Sequence, residues 1–319
     1  MGIKNLMKII IRYAPSCLKL TKINLYKNSI IAIDANLMIY KMIFAIRKNG
    51  YDIKNDNINV THIFSLLLKI QGFIKYNITP VFVFDGIPPK IKEETLKQRQ
   101  DFFNFMQQKY YKSVTQDEKK KFYFLKSEIT FKEIKECMDL INLFGYTIIE
   151  SPEEADSQLA DLSIKNKVDY IATDDMDILV FGGNIILKNF TVSDKKKIQE
   201  INLAVLKKEL KLDQNEIIDL SILLGCDYCP SIKGIGTIGA YKFIQKYKKL
   251  DLIIEKENVK LSFDYKKAQN YFKNPPIIDS NNIIINKINV NKKGLVDFLK
   301  KYKFKQEYID NLLKVIKNK

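Results

Sequence analysis

Four short apolar runs along the chain each give way to acid. They are Ile30-Ile31-Ala32-Ile33 before Asp34, Val81-Phe82-Val83-Phe84 before Asp85, Tyr146-Thr147-Ile148-Ile149 before Glu150 to Asp156, and Tyr170-Ile171-Ala172 before Asp174 to Asp177. Short runs of β-branched and aromatic residues, bounded by turn residues, predict strands buried on both faces. Between them apolar positions recur at helical spacing, from about Asn36 to Lys48 and from His62 to Lys75. The opening therefore predicts helix, strand, helix, helix, strand, the start of an α/β fold with a central, mostly parallel sheet and helices on both faces. Ligands of such sheets bind beyond the carboxyl ends of the strands, so the acidic ends would gather on one rim. Two carboxylates about 4 Å apart repel by roughly 4 kcal/mol at an effective dielectric of 20, and several together protonate unless cations intervene. An all-oxygen, all-acid cluster suits Mg2+ or Mn2+.

After Asp85 the turn Gly86-Ile87-Pro88-Pro89 leads into residues 90–136, where 12 Lys and Arg face 8 Asp and Glu among interleaved Phe and Tyr. No strand pattern occurs there, which predicts a helical insertion or cap. Its aromatic and basic residues could clamp a nucleic-acid strand; a solvated helical hairpin with a charged outer face reads equally well. Strand patterns resume at Tyr146 and end near Ile185 to Leu187. The chain is helical again from Leu203 through Ile217 to Leu224, extended or looped over Phe272 to Asn291, and closed by helices over Leu295 to Tyr302 and Gln306 to Ile316. Without repeats or flexible linkers, the expectation is one domain over residues 1–319 with the cap inserted.

The chain has 319 residues, and 53 Lys and Arg against 37 Asp and Glu give +16. A basic chain that also concentrates acid locally points to a polyanionic partner such as nucleic acid. Composition offers a competing source of that charge, because only Arg12, Arg47 and Arg99 are arginines and the remainder is lysine. Cys17, Cys137, Cys226 and Cys229 make no disulfide framework in a chain this long, which suits a reducing compartment. Cys226 and Cys229 form a C-x-x-C, but there is no second pair and His62 is the single histidine. That argues against a zinc site and against Ser-His-Asp chemistry. No apolar stretch reaches the roughly 18 residues of a membrane span, no signal peptide opens the chain, and Leu6 fills the Ser/Thr place of a myristoylation signal. A soluble intracellular protein is expected.

Gly234-Ile235-Gly236 stands just before a helical pattern, where backbone N–H groups at a helix start can hold a phosphate. Alone it is weak, since glycines punctuate many turns. Taken in order, though, Met1-Gly2-Ile3, Ile33-Asp34-Ala35, Val83-Phe84-Asp85-Gly86 with Pro88-Pro89, Pro152-Glu153-Glu154-Ala155-Asp156, Thr173-Asp174-Asp175-Met176-Asp177 and Leu224-Gly225-Cys226-Asp227-Tyr228 cover nearly the whole chain. In that order the chain resembles the flap endonucleases of the structure-specific 5′-nuclease family, and Pro88-Pro89 with Asp175-Met176-Asp177 favours them over their exonuclease relatives.

The resemblance implies a nuclease of branched DNA in replication and repair that cuts near a 5′ flap or 5′ end, with 5′-to-3′ exonuclease activity. It would leave a 5′ phosphate and a 3′ hydroxyl. Two Mg2+, for which Mn2+ can substitute, would activate a water for in-line attack and stabilise the leaving oxygen. By position, the metal-binding carboxylates fall on Asp34, Asp85, Glu154, Asp156, Asp175, Asp177 and Asp227, with Glu153 and Asp174 outside the set. Lys92 and Arg99 match the catalytic cations and Tyr40 the stacking aromatic, while Gly2, Arg47, Gly234 and Gly236 fall among the DNA contacts. A helix-hairpin-helix over 227–248 is implied, with a K+ site. The family also implies a monomer and a nuclear location, or a cytoplasmic one for a viral protein.

Retention of Arg47 and Arg99 where lysine has otherwise replaced arginine suggests bidentate phosphate contacts. The seven-residue interval from Lys92 to Arg99 would set both on one helix face. Plainer roles compete: Asp34 and Asp85 as helix N-caps, Tyr40 as core, Lys92 and Arg99 as surface charge. The chain also departs from the pattern. Asp156 replaces a longer glutamate, Ile238 and Gly239 replace a Lys-Arg pair, and the acidic block that shapes a 3′-flap pocket shrinks to Asp56 within Asn55 to Asn59. No sliding-clamp motif precedes Lys319. The rival readings are an exonuclease or bubble nuclease of the same superfamily and a non-catalytic DNA-binding scaffold.

Overall fold

The computed structural model describes residues 2–115, 117–119, 122–123 and 129–317. Its strands are β1 (Leu18–Thr21), β2 (Ile30–Asp34), β3 (Lys54–Asn55), β4 (Ile58–Asn59), β5 (Thr79–Phe84), β6 (Thr147–Glu150), β7 (Tyr170–Ala172), β8 (Ile185–Lys188) and β9 (Ile198–Asn202). Seven of them make a mixed, mostly parallel sheet with helices around it, and β3 and β4 form a separate hairpin. The predicted α/β class is the one found.

The chain divides into two compact units. The first comprises Met1–Leu25, Asp85–Thr95 and Glu150–Ile283. Its strands run in the order β1-β9-β8-β7, with β7 and β8 parallel and β9 antiparallel to both β8 and β1. Ile171, Ala172, Ile186, Leu187, Ile198 and Ile201 bury the strand faces. The helices Ala155–Ile164 and Gln214–Leu224 are buried over most of their lengths. The second unit comprises Tyr26–Phe84, Leu96–Ile149 and Ile284–Lys319. Here β2 and β5 pair in parallel, with Ala32 opposite Val81, Ile33 opposite Phe82 and Asp34 opposite Val83. Ile31, Ala32, Ile33, Val81, Phe82 and Val83 are all buried, which is why these strands read as unbroken apolar runs.

The helices Ala35–Arg47 and Thr61–Tyr76 fall within a residue or two of their predicted limits. Asp34 starts the first by accepting from Leu37 N at 3.0 Å, and Asn77, at φ 53°, ends the second. Phe131–Leu143 opens on a capping box between Thr130 and Glu133. Within the predicted insertion, a 3-10 turn at Lys90–Lys92 runs into the helix Glu93–Lys112. The parts at residues 116, 120–121 and 124–128 lie outside the described residues.

Four strands, β1, β3, β4 and β9, were not expected from the pattern. In β9 only Ile198 and Ile201 are buried, giving neither alternation nor a run. The β3–β4 pair is a two-residue hairpin whose turn, Asp56 and Asn57, takes φ values of 43° and 66°.

Candidate metal centre and nucleic-acid surfaces

The acids of the first unit are positioned by loops that follow strands. Gly86 N donates to Glu153 O at 2.6 Å and Ile87 N to Pro152 O at 3.3 Å, so the segments after β5 and β6 are joined backbone to backbone. A side chain at Gly86 would strike the Ser151 and Pro152 carbonyls. Asp85 Oδ1 then accepts from Ala155 N at 2.9 Å, at the start of the helix that carries Asp156. After β7, Asp175 N donates to Thr173 Oγ1 and Asp177 N to Asp175 Oδ1, both at 3.1 Å.

Carboxylate oxygens of Asp156, Asp175 and Asp177 all lie within 4.8 Å of one another. At that spacing two negative charges repel by at least about 3 kcal/mol at an effective dielectric of 20. Burial, then the charges of Asp175 and Asp227 and the neighbouring Cys226, push the Asp177 carboxyl well above its ordinary range. Asp177 is 1% exposed, and its Oδ1 accepts from no donor among the described residues. A buried carboxylate oxygen without a donor, inside an all-oxygen acidic cluster, fits a hard divalent cation.

A second group holds its own cation. Lys92 Nζ pairs with Glu154 Oε1 and, at 3.2 Å, with Asp227 Oδ2, while Tyr228 OH donates to Glu154 Oε2 at 2.5 Å. Burial works to lower the Lys92 pKa, but Glu154, Asp227 and Asp156 outweigh it and hold the ammonium above its ordinary range. Thr95 Oγ1 donates to Asp227 O at 2.7 Å, and Gly225, at φ 87°, leaves no room for a side chain against Ser231. Lys4 N donates to Gly225 O at 3.0 Å, which carries the N-terminal segment to this loop. Gly2 takes φ 74°, and a Cβ there would collide with Asp175 Oδ1 and Asp177 Oδ1.

Six of the seven expected carboxylates thus lie in the first unit, tied together by these contacts. Asp174 is turned to Asn189, whose N it accepts at 2.6 Å. Asp34 belongs to the second unit, at the end of β2, where one oxygen caps a helix. The N-cap role is therefore real for Asp34, whereas Asp85 caps no helix that follows it and instead accepts from Ala155 N, 70 positions on, in a helix whose N-cap is Glu154. A second oxygen on each carboxylate leaves the ligand role compatible with these contacts. Tyr228 was missed as a residue of the site, although it stands in the motif beside Asp227 and a buried phenol needs a partner.

The cations differ from one another. Lys92 lies in the 3-10 turn Lys90–Lys92, where its N donates to Pro89 O at 2.9 Å, so the interval to Arg99 does not run along a single α-helix. Pro88-Pro89 delay the helix start to Glu93. Arg99 is exposed on that helix. Tyr40 is 47% exposed, with its ring centre 5.9 Å from that of Phe44 and the planes tilted by 31°, so it is not core.

Arg47 was expected among the DNA contacts, and what the structure shows of it is a pair of ion pairs within the second unit. Its guanidinium is buried and paired with Asp52 Oδ1 at 2.8 Å and Glu133 Oε1 at 2.9 Å. Two carboxylates that need a planar fork explain why lysine does not stand there. His62 is structural, with Nε2 2.6 Å from Glu136 Oε2. Cys226 and Cys229 face each other across a tight turn, Sγ to Sγ 3.5 Å.

Gly234 (φ 82°) and Gly236 precede the helix Thr237–Tyr247, and a Cβ at either would meet nothing within 4 Å. That openness leaves the backbone at the helix start accessible to an anion. Ile238 is 41% exposed at the same helix start, an apolar side chain at the surface.

Residues 1–104 match the XPG N-terminal domain and residues 145–227 the XPG I-region. The chain is 34% identical over its whole length to "Flap endonuclease 1" of Branchiostoma floridae, covering 87% of that protein. It is 33% identical to "Flap endonuclease 1" of Entamoeba dispar, covering 88% of it. Among solved structures it superposes on the catalytic core of Rad2 in complex with DNA substrate, at a TM-score of 0.74 and 24% identity over 99% of this chain and all of that one. Flap endonuclease-1 from Methanococcus jannaschii gives 0.72 at 24% identity, covering 94% of this chain and 96% of that one.

Proposed function

The chain belongs to the flap endonuclease family, and from that premise we infer that it is a metal-dependent, structure-specific DNA endonuclease that hydrolyses branched DNA at a 5′ flap. The observation that carries this reading is the acidic cluster of Asp156, Asp175 and Asp177, set in a chain of +16 that would otherwise have no reason to crowd negative charge. Asp156, Asp175 and Asp177 would hold one divalent cation, and Asp34, Asp85, Glu154 and Asp227 would complete a site for two Mg2+. When bound, such ions supply Lewis acidity toward the scissile phosphate and a water of lowered pKa.

The chain's own residues do the rest. Lys92 keeps a positive charge among Glu154 and Asp227, beside the place a phosphodiester must take. Arg99 offers a second cation with a planar fork for phosphate oxygens. Tyr228 fixes Glu154 from the other side. Gly2 keeps the N-terminal backbone low against Asp175 and Asp177. Tyr40 would stack on a base, the Gly234–Gly236 turn would take backbone phosphates with a K+ ion, and residues 90–136 would act as a cap within a single nuclease domain. The products are a 5′ phosphate and a 3′ hydroxyl, and the site of action is nuclear DNA. No helix among the described residues is long and apolar enough to cross a membrane.

The deciding experiment uses a labelled 5′ flap beside a double flap, with Mg2+ and with chelator. Cutting near the flap base in Mg2+ alone is expected, and equal rates on the two substrates would follow from the shortened acidic block at Asp56. An intact flap in Mg2+ would end the assignment.

A further inference from the structure

Phe181, Tyr228, Tyr271 and Phe272 pack ring against ring within the first unit. Tyr271 and Phe272, on the helix Tyr265–Lys273, meet the Tyr228 ring at 4.7 and 5.0 Å between centres, with the planes 62° and 67° apart. Phe181 closes the group, 6.2 Å from Tyr271 and 5.0 Å from Phe272. Packing of this kind asks only for rings, and phenylalanine supplies them at positions 181 and 272. Position 271 carries a hydroxyl as well. Tyr271 Oη is buried with no hydrogen bond of regular geometry among the described residues, and a buried phenol is unfavourable unless its O–H has a partner to meet.

Glu153 supplies the match. Its Oε2 is likewise buried without a regular hydrogen bond among the described residues. Burial, then the Glu153 side chain, then the charges of Glu154 and Asp156 push the Tyr271 phenol above its ordinary range, so it stays a proton donor. The neighbouring tyrosine already does for the next acid what Tyr271 could do here, since Tyr228 OH donates to Glu154 Oε2 at 2.5 Å. Glu153 is also where the loops of the site join, its carbonyl accepting from Gly86 N at 2.6 Å and from Ser151 Oγ at 2.9 Å. Whatever fixes its side chain therefore fixes the backbone that leads to Glu154 and Asp156 on one hand and to Asp85 on the other. Crowded carboxylates repel one another, and the loop that carries them must be held against that repulsion. A neutral donor behind the loop does so without taking the place of an ion. Resting on the metal-dependent nuclease reading, we propose that Tyr271 is a positioning residue, its hydroxyl donating to the Glu153 carboxylate as the loop seats and so holding Glu154, Asp156 and Asp85 in the arrangement that takes divalent cations.

The test compares the full chain with Tyr271→Phe, Glu153→Ala and the double variant. Mn2+ alone, without DNA, is titrated by calorimetry; single-turnover cleavage of a 5′ flap is followed over a Mg2+ series; and urea midpoints are recorded. Tyr271→Phe is expected to weaken Mn2+ binding by about tenfold, as when an outer partner of a metal site is removed. Half-saturating Mg2+ for cleavage should rise by the same factor while the rate at saturating Mg2+ stays within about twofold, the pattern of a binding contribution and not of a chemical one. Once Glu153 is alanine, Tyr271→Phe should add nothing further. Mn2+ affinity of Tyr271→Phe equal to wild type overturns the proposal whatever the urea midpoint does, because a purely structural role leaves the metal affinity of folded molecules unmoved. Losses that add in the double variant also overturn it. A wild type that takes up no Mn2+ and cuts no flap would remove the nuclease reading together with the proposal, whereas a wild type that does both, matched by Tyr271→Phe, would end the proposal alone.

Discussion

Asp175 does two things that can be separated by substitution. Its Oδ1 accepts from Asp177 N at 3.1 Å, and its carboxylate lies in the three-acid cluster. Asp175→Asn keeps an acceptor for the backbone but removes a charge, so flap cleavage should fall by about 10²-fold or more, as when other groups that stabilise transition-state charge are removed, while flap binding stays measurable. Undiminished single-turnover cleavage would show that the cluster is not the reaction centre. For Lys92 the expectation is a comparable loss of single-turnover rate in Lys92→Ala with a smaller loss of affinity; equal losses in both would reduce it to a docking residue. Arg47 should behave in the opposite way. Removing one partner of a buried ion pair costs about 3–5 kcal/mol, and the Arg47 side chain is 5% exposed between Asp52 and Glu133. Arg47→Met should lower the urea midpoint accordingly while flap affinity per folded molecule stays near wild type. A stable variant with weakened flap affinity would restore the phosphate role.

At the scale of elements, the helices Thr61–Tyr76 and Phe131–Leu143 are joined by His62 and Glu136, and Arg47 at the end of Ala35–Arg47 reaches Glu133 beside them. Burial lowers the His62 pKa more than Glu136 and Glu133 raise it. A histidine whose folded pKa lies below its unfolded value of about 6.5 stabilises the fold above that pH, and the contribution is lost as pH falls below it. Unfolding free energy should therefore decline below about pH 6.5 with a slope of up to roughly 1.4 kcal/mol per pH unit. Parallel urea titrations of wild type and His62→Gln check this, and identical pH slopes would refute it. The helices Ala35–Arg47 and Thr61–Tyr76 were legible from spacing, the first also from Asp34 as its cap, and β2 and β5 from runs buried on both faces. Strand β9 was not, because Gln199 and Glu200 interrupt its two buried isoleucines and its pairing with β8 and β1 is a tertiary fact. Of the expected acids, Asp34, Asp85, Glu154, Asp156, Asp175 and Asp177 stand at the ends of the apolar runs, while Asp227 was placed by the family resemblance alone. The long-range partners were not legible: Lys92 meets Glu154 across 62 positions, Tyr228 meets Glu154 across 74, and Arg47 meets Glu133 across 86. No periodicity spans such intervals, and retention of an arginine reads alike whether its fork faces a phosphate or two carboxylates.

Over the whole molecule, the positive excess and the acidic cluster have different reach. The excess of +16 is carried mostly by lysines, and charge of this kind acts on DNA by releasing its condensed counterions, so affinity falls steeply with salt, by a slope of about −0.9 for each phosphate neutralised. The acids act locally: Lys92 sits between Glu154 and Asp227, in surroundings where bulk ions screen poorly. Raising KCl from about 50 mM to 200 mM should therefore weaken flap binding by about 10²-fold or more if four or more phosphates are neutralised. The single-turnover rate at saturating enzyme should change by much less, about twofold at most, because groups buried at the centre are shielded from the added salt. Anisotropy and quench-flow over one salt series would measure both. Affinity indifferent to salt would mean that the lysine excess reflects composition and not a nucleic-acid surface, and a rate falling in step with affinity would place the screened charges in the chemical step itself.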